Sequence, residues 1–139
     1  MRPRATEAEM TEAALVNTVR AHGLRVSALR RTVLRRLLAA DAPLTAEELA
    51  RGEDVASTYR NLNALETIGV VRHIHLGHGP GRYTLSGRSA GWVTCERCGR
   101  STPIADDALH RLREAVLAVT GYQAGFNRFP IVGRCVDCI

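Results

Sequence analysis

Cys95-Glu96-Arg97-Cys98-Gly99 and Cys135-Val136-Asp137-Cys138 hold all four cysteines of the chain, as two CxxC pairs. Two thiolates spaced this way in a tight knuckle can face one cation, and two such knuckles complete a tetrahedral Zn²⁺ shell. Residues 99–134 separate the pairs, more than a compact zinc ribbon holds, so a small subdomain has to fold before the second knuckle meets the first. The spacing predicts one closed structural zinc site per chain, made by Cys95, Cys98, Cys135 and Cys138, whose role is to staple a fold.

Disulfides and a thioredoxin-type redox pair are the competing readings of these cysteines. The chain opens Met-Arg-Pro-Arg and runs into Glu-containing sequence with no apolar stretch suited to a signal peptide, so a reducing cytoplasm is expected, with thiol redox switching the main alternative. Zinc deaminases also use a CxxC pair, but they need a His-x-Glu and a Pro before the cysteines. Thr94 and Arg134 stand there instead, and no His-x-Glu occurs.

Length suits one compact domain or two small ones, and nothing approaches a membrane span, so no membrane partner is expected. The 19 basic residues are all Arg and outweigh 14 acidic ones, giving +5 and favouring a phosphate backbone as partner. Aromatics, at 4%, are too few for single-strand binding by base stacking. No polar triad, phosphate-binding Gly loop or open-coordination zinc motif occurs, so an enzyme is not expected.

The first 85 residues read as helices followed by a hairpin, the winged-helix order. Glu7 to His22 has apolar residues near helical spacing, and Gly23 suits its end. Ser27 caps a helix over Ala28 to Ala40, whose Leu29, Val33, Leu34, Leu37 and Leu38 share a face while Arg30, Arg31, Arg35 and Arg36 mostly lie off it. Thr45 and Glu48 sit in capping-box positions for a third, short helix that stops near Gly52. Asp54 caps a fourth, Val55 to Ile68. On it Val55, Leu62 and Leu65 cluster opposite Ser57, Arg60, Asn61 and Ala64, a face suited to a major groove or to plain solvent. Val70 to Leu76 alternates as a strand, Gly77 to Gly81 turns, and Arg82 to Leu85 returns as the wing.

Gly23-Leu-Arg25-Val-Ser27 with Arg30, Ser57-Thr-Tyr59-Arg60-Asn61-Leu62, and the knuckles Cys95-Glu-Arg-Cys98-Gly99 and Gly133-Arg-Cys135-Val-Asp-Cys138 together resemble the ferric uptake regulator (Fur) superfamily of bacterial metal-responsive transcription factors. The likeness covers nearly the whole chain. It implies an α+β protein: a winged helix-turn-helix domain over 1–85, a hinge over 86–91, and a small zinc-stapled α/β dimerisation domain over 92–139. It further implies a cytoplasmic homodimer that binds an inverted-repeat, usually AT-rich, operator in double-stranded DNA as a repressor. Arg25, Tyr59 and Arg60 match family positions at the DNA, and with Arg30, Ser57 and Asn61 they form the expected DNA-binding set. Helical spacing also allows Tyr59 to be a core-edge aromatic.

The second domain is expected to run as a strand from Trp92 to Thr94, the knuckle, a strand from Ser101 to Ala105, a helix from Asp106 to Thr120, and strands around Tyr122 to Asn127 and Pro130 to Val132. Ala108, Leu112, Ala115, Val116 and Val119 share one side of that helix. The His-rich run common in the family before the first knuckle is missing: Arg88-Ser-Ala-Gly91-Trp92 stands there, and Asn127-Arg-Phe129 replaces a common later His. A second, regulatory divalent metal would fall to His73, His75 and His78 at the wing, which are otherwise surface residues. Two readings stay open: a metal- or redox-responsive repressor, and a zinc-stapled dimeric DNA- or protein-binding module without metal sensing.

Overall fold

The computed structural model describes residues 10–76, 79–88, 91–126 and 130–139. They form two compact units, one from 10–73 with 82–88, the other from 74–76, 79–81, 91–126 and 130–139. The first unit runs to Arg88, past 85, and of the wing only 74–76 and 79–81 group with the second. Ser89 and Ala90 of the expected hinge lie outside the described residues.

Four helices build the first unit, and each starts where a polar side chain takes up a free backbone N–H. Thr11 accepts from the Ala14 amide at 3.1 Å and opens α1 (Glu12–Ala21), which corrects the expected start at Glu7: Met10 and Thr11 precede the helix. Ser27 does the same for α2 (Ala28–Ala39), accepting from the Arg30 amide. Thr45 and Glu48 close the expected capping box on α3 (Ala46–Ala50), which ends on Arg51 in the left-handed conformation, φ 47°. Asp54 caps α4 (Val55–Thr67), and Gly69 at φ 81° then turns the chain where a side chain would be strained.

Strands β1 (Val71–Ile74) and β2 (Arg82–Leu85) pair into the wing. Leu44 and Tyr83 exchange both backbone hydrogen bonds, at 3.0 and 2.7 Å, which joins the α2–α3 connection to the wing base. The strand is shorter than the expected run to Leu76, and Gly77 and His78 lie outside the described residues. Val19, Val33, Leu34, Leu37, Leu49, Leu62, Leu65 and Leu85 form the shared core, each shielded almost fully from water. Burial of each such side chain contributes about 1.5–3 kcal/mol. This is the winged-helix arrangement.

The arginines of α2 are spent inside this unit. Arg31 and Arg35 both reach Glu12 of α1, at 3.1 and 2.9 Å. Arg36 donates to the Leu49 and Ala50 carbonyls at the end of α3. Arg88 comes back from beyond the wing and donates to the carbonyls of Leu37 (2.9 Å), Ala40 (2.7 Å) and Leu38 (2.6 Å). A cation over the free carbonyls of a helix C-terminus satisfies both their hydrogen bonding and the helix dipole. That clamp keeps the chain in the first unit as far as Arg88.

In the second unit, β3 (Gly91–Cys95) is central, with β4 (Ser101–Ile104) antiparallel on one side and β5 (Ile131–Gly133) parallel on the other. Helix α5 (Asp106–Thr120) connects the two edges and packs through Leu109 against Gly91, where an added Cβ would lie 2.7 Å from the leucine. Leu109 is the one buried residue of α5; Leu112 and Val119, on the side expected to be apolar and packed, are 40% and 85% exposed. The strand expected around Tyr122 to Asn127 is corrected, since 122–126 carry no strand and Asn127 is outside the described residues. Gly121 at φ 75° swings the chain off α5 there. The last strand starts at Ile131 because Pro130 has no N–H for a ladder. Among the described residues no helix is long and apolar enough to cross a membrane.

Arg88→Ala strands three carbonyls at the end of α2, and should cost about 1–3 kcal/mol in urea unfolding. Arg88→Lys should recover part of the loss, having one donor group in place of the fork; an alanine variant as stable as the parent would exclude the clamp.

Candidate metal centre and nucleic-acid interface

Because β5 runs parallel to β3 with Cys95 opposite Gly133, both strands end at the same edge of the sheet. The first knuckle turns back at Gly99 into β4, its Gly99 amide donating to the Cys95 carbonyl at 2.9 Å. The second closes by Cys138 and Ile139 amides on the Cys135 carbonyl. All four Sγ atoms then lie within 4.8 Å of one another, with Cys98 and Cys135 at 3.7 Å. Zn–S bonds of about 2.3 Å in a tetrahedron require S–S edges of about 3.8 Å, so the donor set is close to the size that ion needs.

The thiols titrate far apart. Backbone amides of Cys135 and Cys98 aimed at Cys95 hold its pKa down to about 6. The Cys135 thiol beside Cys138, together with burial, pushes the latter up to about 12. Four like groups packed together cannot all ionise unless a cation joins them. Arg134 Nε meets Glu96 Oε1 at 2.9 Å, and Arg100 Nη1 meets Asp137 Oδ2 at 2.9 Å, so the knuckles are also linked by ion pairs.

On α4, the sector farthest from the core carries Ala56, Arg60, Asn63 and Thr67, all exposed and spaced i, i+4, i+7, i+11. Arg60 Nη2 donates to Ser57 Oγ at 2.8 Å, and Ser57 Oγ donates to Asp54 Oδ2 at 2.6 Å. The Ser57 hydroxyl and amide hold the Asp54 carboxyl below the usual carboxylate range, so the chain ends on a full negative charge. Arg60 is thereby set in one direction, facing solvent. Asn63 and Thr67 were not among the residues singled out from sequence.

Asn61 is committed internally: its Oδ1 accepts from Arg30 Nε at 2.9 Å and its Nδ2 donates to the Ser57 carbonyl at 2.9 Å. Arg30 also donates to the Arg25 carbonyl at 2.6 Å, which fixes the turn carrying the exposed Arg25. Arg30 and Asn61 thus hold the other groups in place. Tyr59 packs half-buried against the core, and its hydroxyl sits 3.4 Å from Glu47 Oε1, long for an O–H···O bond.

His73 stacks on Tyr83 with centroids 4.9 Å apart and planes 7° from parallel, His75 is exposed, and His78 is outside the described residues. Among the described residues the four cysteines are the group of three or more metal-ligating side chains that comes together. His110 pairs with Glu114 at 3.1 Å, and His22 Nδ1 lies 2.9 Å from the Thr18 carbonyl.

The sequence model of the ferric uptake regulator family matches residues 21–128. The chain is 29% identical over 109 residues to the peroxide-responsive repressor PerR of Staphylococcus saprophyticus, across 73% of this chain and 74% of that protein. It is 26% identical over 84 residues to PerR of Staphylococcus epidermidis, across 60% of this chain and 56% of that one, little more than half its length. The ferric uptake regulator Fur of Helicobacter pylori aligns with a TM-score of 0.73 at 19% identity, over 99% of this chain and 97% of that one. Fur of Vibrio cholerae aligns at 0.64 and 25% identity, over 86% and 98%. With that family model matching most of its length and the fold shared with these regulators, the chain belongs to the ferric uptake regulator family.

Proposed function

We propose that this protein is a sequence-specific DNA-binding transcription regulator, a repressor that acts as a homodimer on an inverted-repeat operator. The observation that carries the reading is the Ala56–Arg60–Asn63–Thr67 stripe on α4, with Arg60 held outward by Ser57 and Asp54. A guanidinium fixed in this way is ready to take both acceptors of a guanine in the major groove, and an exposed Asn one turn along suits an adenine. Ser57 and Asn61 support that surface, Arg30 supports Arg25, and Arg25 contacts phosphate or the minor groove. The residues 1–85 are the DNA-binding part and 92–139 the dimerisation part.

Dimerisation is supported by the apolar side chains that the second unit leaves in water. Leu117, Val119, Tyr122 and Val132 are 46% to 85% exposed, on a unit with few fully buried side chains. So small a unit gains stability from a partner subunit and from a metal. Cys95, Cys98, Cys135 and Cys138 are the residues to hold that metal, one structural Zn²⁺ per chain. When bound, the ion supplies four strong bonds that replace the missing core and has no open position for chemistry.

Arg60→Ala should weaken binding to the specific operator by about 1–3 kcal/mol in a gel-shift or anisotropy titration, with zinc content and fold unchanged. Undiminished affinity would overturn the recognition surface. Tyr59→Phe separates two roles of one residue: stability should stay within about 0.5 kcal/mol because the ring keeps its packing, while operator affinity falls if the hydroxyl reaches phosphate and holds if Tyr59 serves the core alone.

Zinc affinity should also climb with pH. Cys138, pushed up to about 12, keeps its proton through neutral pH, whereas Cys95, held down to about 6, is ionised at pH 7. Seating a cation among four thiolates must expel the Cys138 proton, so affinity should rise about tenfold per pH unit for each proton released. Below the Cys95 value the proton on that thiol adds to the slope as well. Competition against a zinc-binding dye at about pH 6 and pH 8 reads the effect, and equal affinities would exclude a four-thiolate site.

A further inference from the structure

Two ion pairs cross between the cysteine knuckles in opposite senses. The first knuckle contributes the acid to one, Glu96 with Arg134, whose bond spans 38 residues of chain, and its following residue contributes the base to the other, Arg100 with Asp137. All four side chains lie within two residues of a cysteine. Both contacts measure 2.9 Å, and the Glu96 amide adds a bond to the Gly133 carbonyl at 2.9 Å. The knuckles are therefore joined by side chains and by backbone, independently of any cation.

Bringing four thiolates together concentrates negative charge that one divalent ion only half neutralises. Arg100 and Arg134 lie at this charge, each with a carboxylate oxygen 2.9 Å away. The crossing also sets sign: a knuckle displaced by one residue would lose both attractions. We propose that Glu96–Arg134 and Arg100–Asp137 are positioning pairs of the metal site, which hold the two knuckles in register for the cation and slow its loss. The proposal rests on the zinc reading above.

Each pair is largely exposed, so one alone shifts an equilibrium by no more than about fivefold. Reversing one charge turns attraction into repulsion, and the full-length zinc-loaded protein should then release zinc to excess chelating dye about three- to tenfold faster in Glu96→Arg or Arg134→Glu. The swapped double variant, Glu96→Arg with Arg134→Glu, should return most of the way to the parent rate, and added salt should shrink the differences. Glu96→Gln, which removes charge without adding bulk, should give a smaller acceleration, and Arg111→Glu on α5 none. Equal release from parent and single variants, or a double variant as fast as the singles, would overturn the positioning role while leaving the zinc site standing. A parent that binds no zinc would overturn both.

Discussion

The second unit depends on the parallel pairing of β5 with β3. An antiparallel return would deliver Cys135 and Cys138 to the opposite edge of the sheet from Cys95 and Cys98, out of reach of a shared cation. A parallel return needs a long connection, and β4, α5 and the segment after it supply one. The long gap between the cysteine pairs is the length of that crossover. The same topology leaves little core, since α5 buries Leu109 alone and the sheet shields chiefly Trp92, Thr94 and Cys95. Thiols clustered at the strand ends, and the ion pairs between the knuckles, stand where a larger protein would have apolar contacts.

The first unit meets the opposite conditions. Its leucine and valine core is continuous across four helices and the wing, and needs no metal to close it. The arginines of α2 reach inward to Glu12, to the end of α3 and to Asn61, while Arg88 covers the end of α2 itself. Guanidinium suits these sites because its planar fork reaches several carbonyl or carboxylate oxygens at once. The excess of positive charge in the composition is therefore a poor map of the proposed DNA-facing surface: several of these arginines are paired within the first unit. Arg25 and Arg60 are the exposed ends of networks whose inner members are Arg30, Asn61, Ser57 and Asp54.

Membership of the family and a regulator's function bear differently on these two halves. The α4 stripe and the turn carrying Arg25 hold the proposed contacts with DNA, so under that proposal specificity lies in side-chain direction. The second unit carries the proposed self-association, and its exposed Leu117, Val119 and Val132 are the apolar surface that a partner subunit would cover. Under that proposal metal retention and self-association would be coupled, because the knuckles and the apolar surface belong to the same small unit.

Sequence alone determined the order of the helices, the capping residues Ser27, Thr45 with Glu48, and Asp54, the α5 span from Asp106 to Thr120, and the four cysteines as one ligand set. These are local: a cap is decided within four residues and a CxxC within one turn. Helical spacing placed the outward face of α4 around Ser57, Arg60, Asn61 and Ala64, whereas in the folded unit Arg60 shares it with Ala56, Asn63 and Thr67. Thr58 is the reason. Its hydroxyl donates back to the Asp54 carbonyl, so a polar residue is fully buried and the core sector extends past the apolar letters, while Arg30, thirty-one positions before Asn61, turns that amide inward. The clamp of Arg88 on α2, the crossed knuckle pairs and the parallel strand that unites the thiols were likewise settled only in three dimensions. Each joins groups far apart in the chain, and no periodicity or propensity records which distant partner a charged side chain will find.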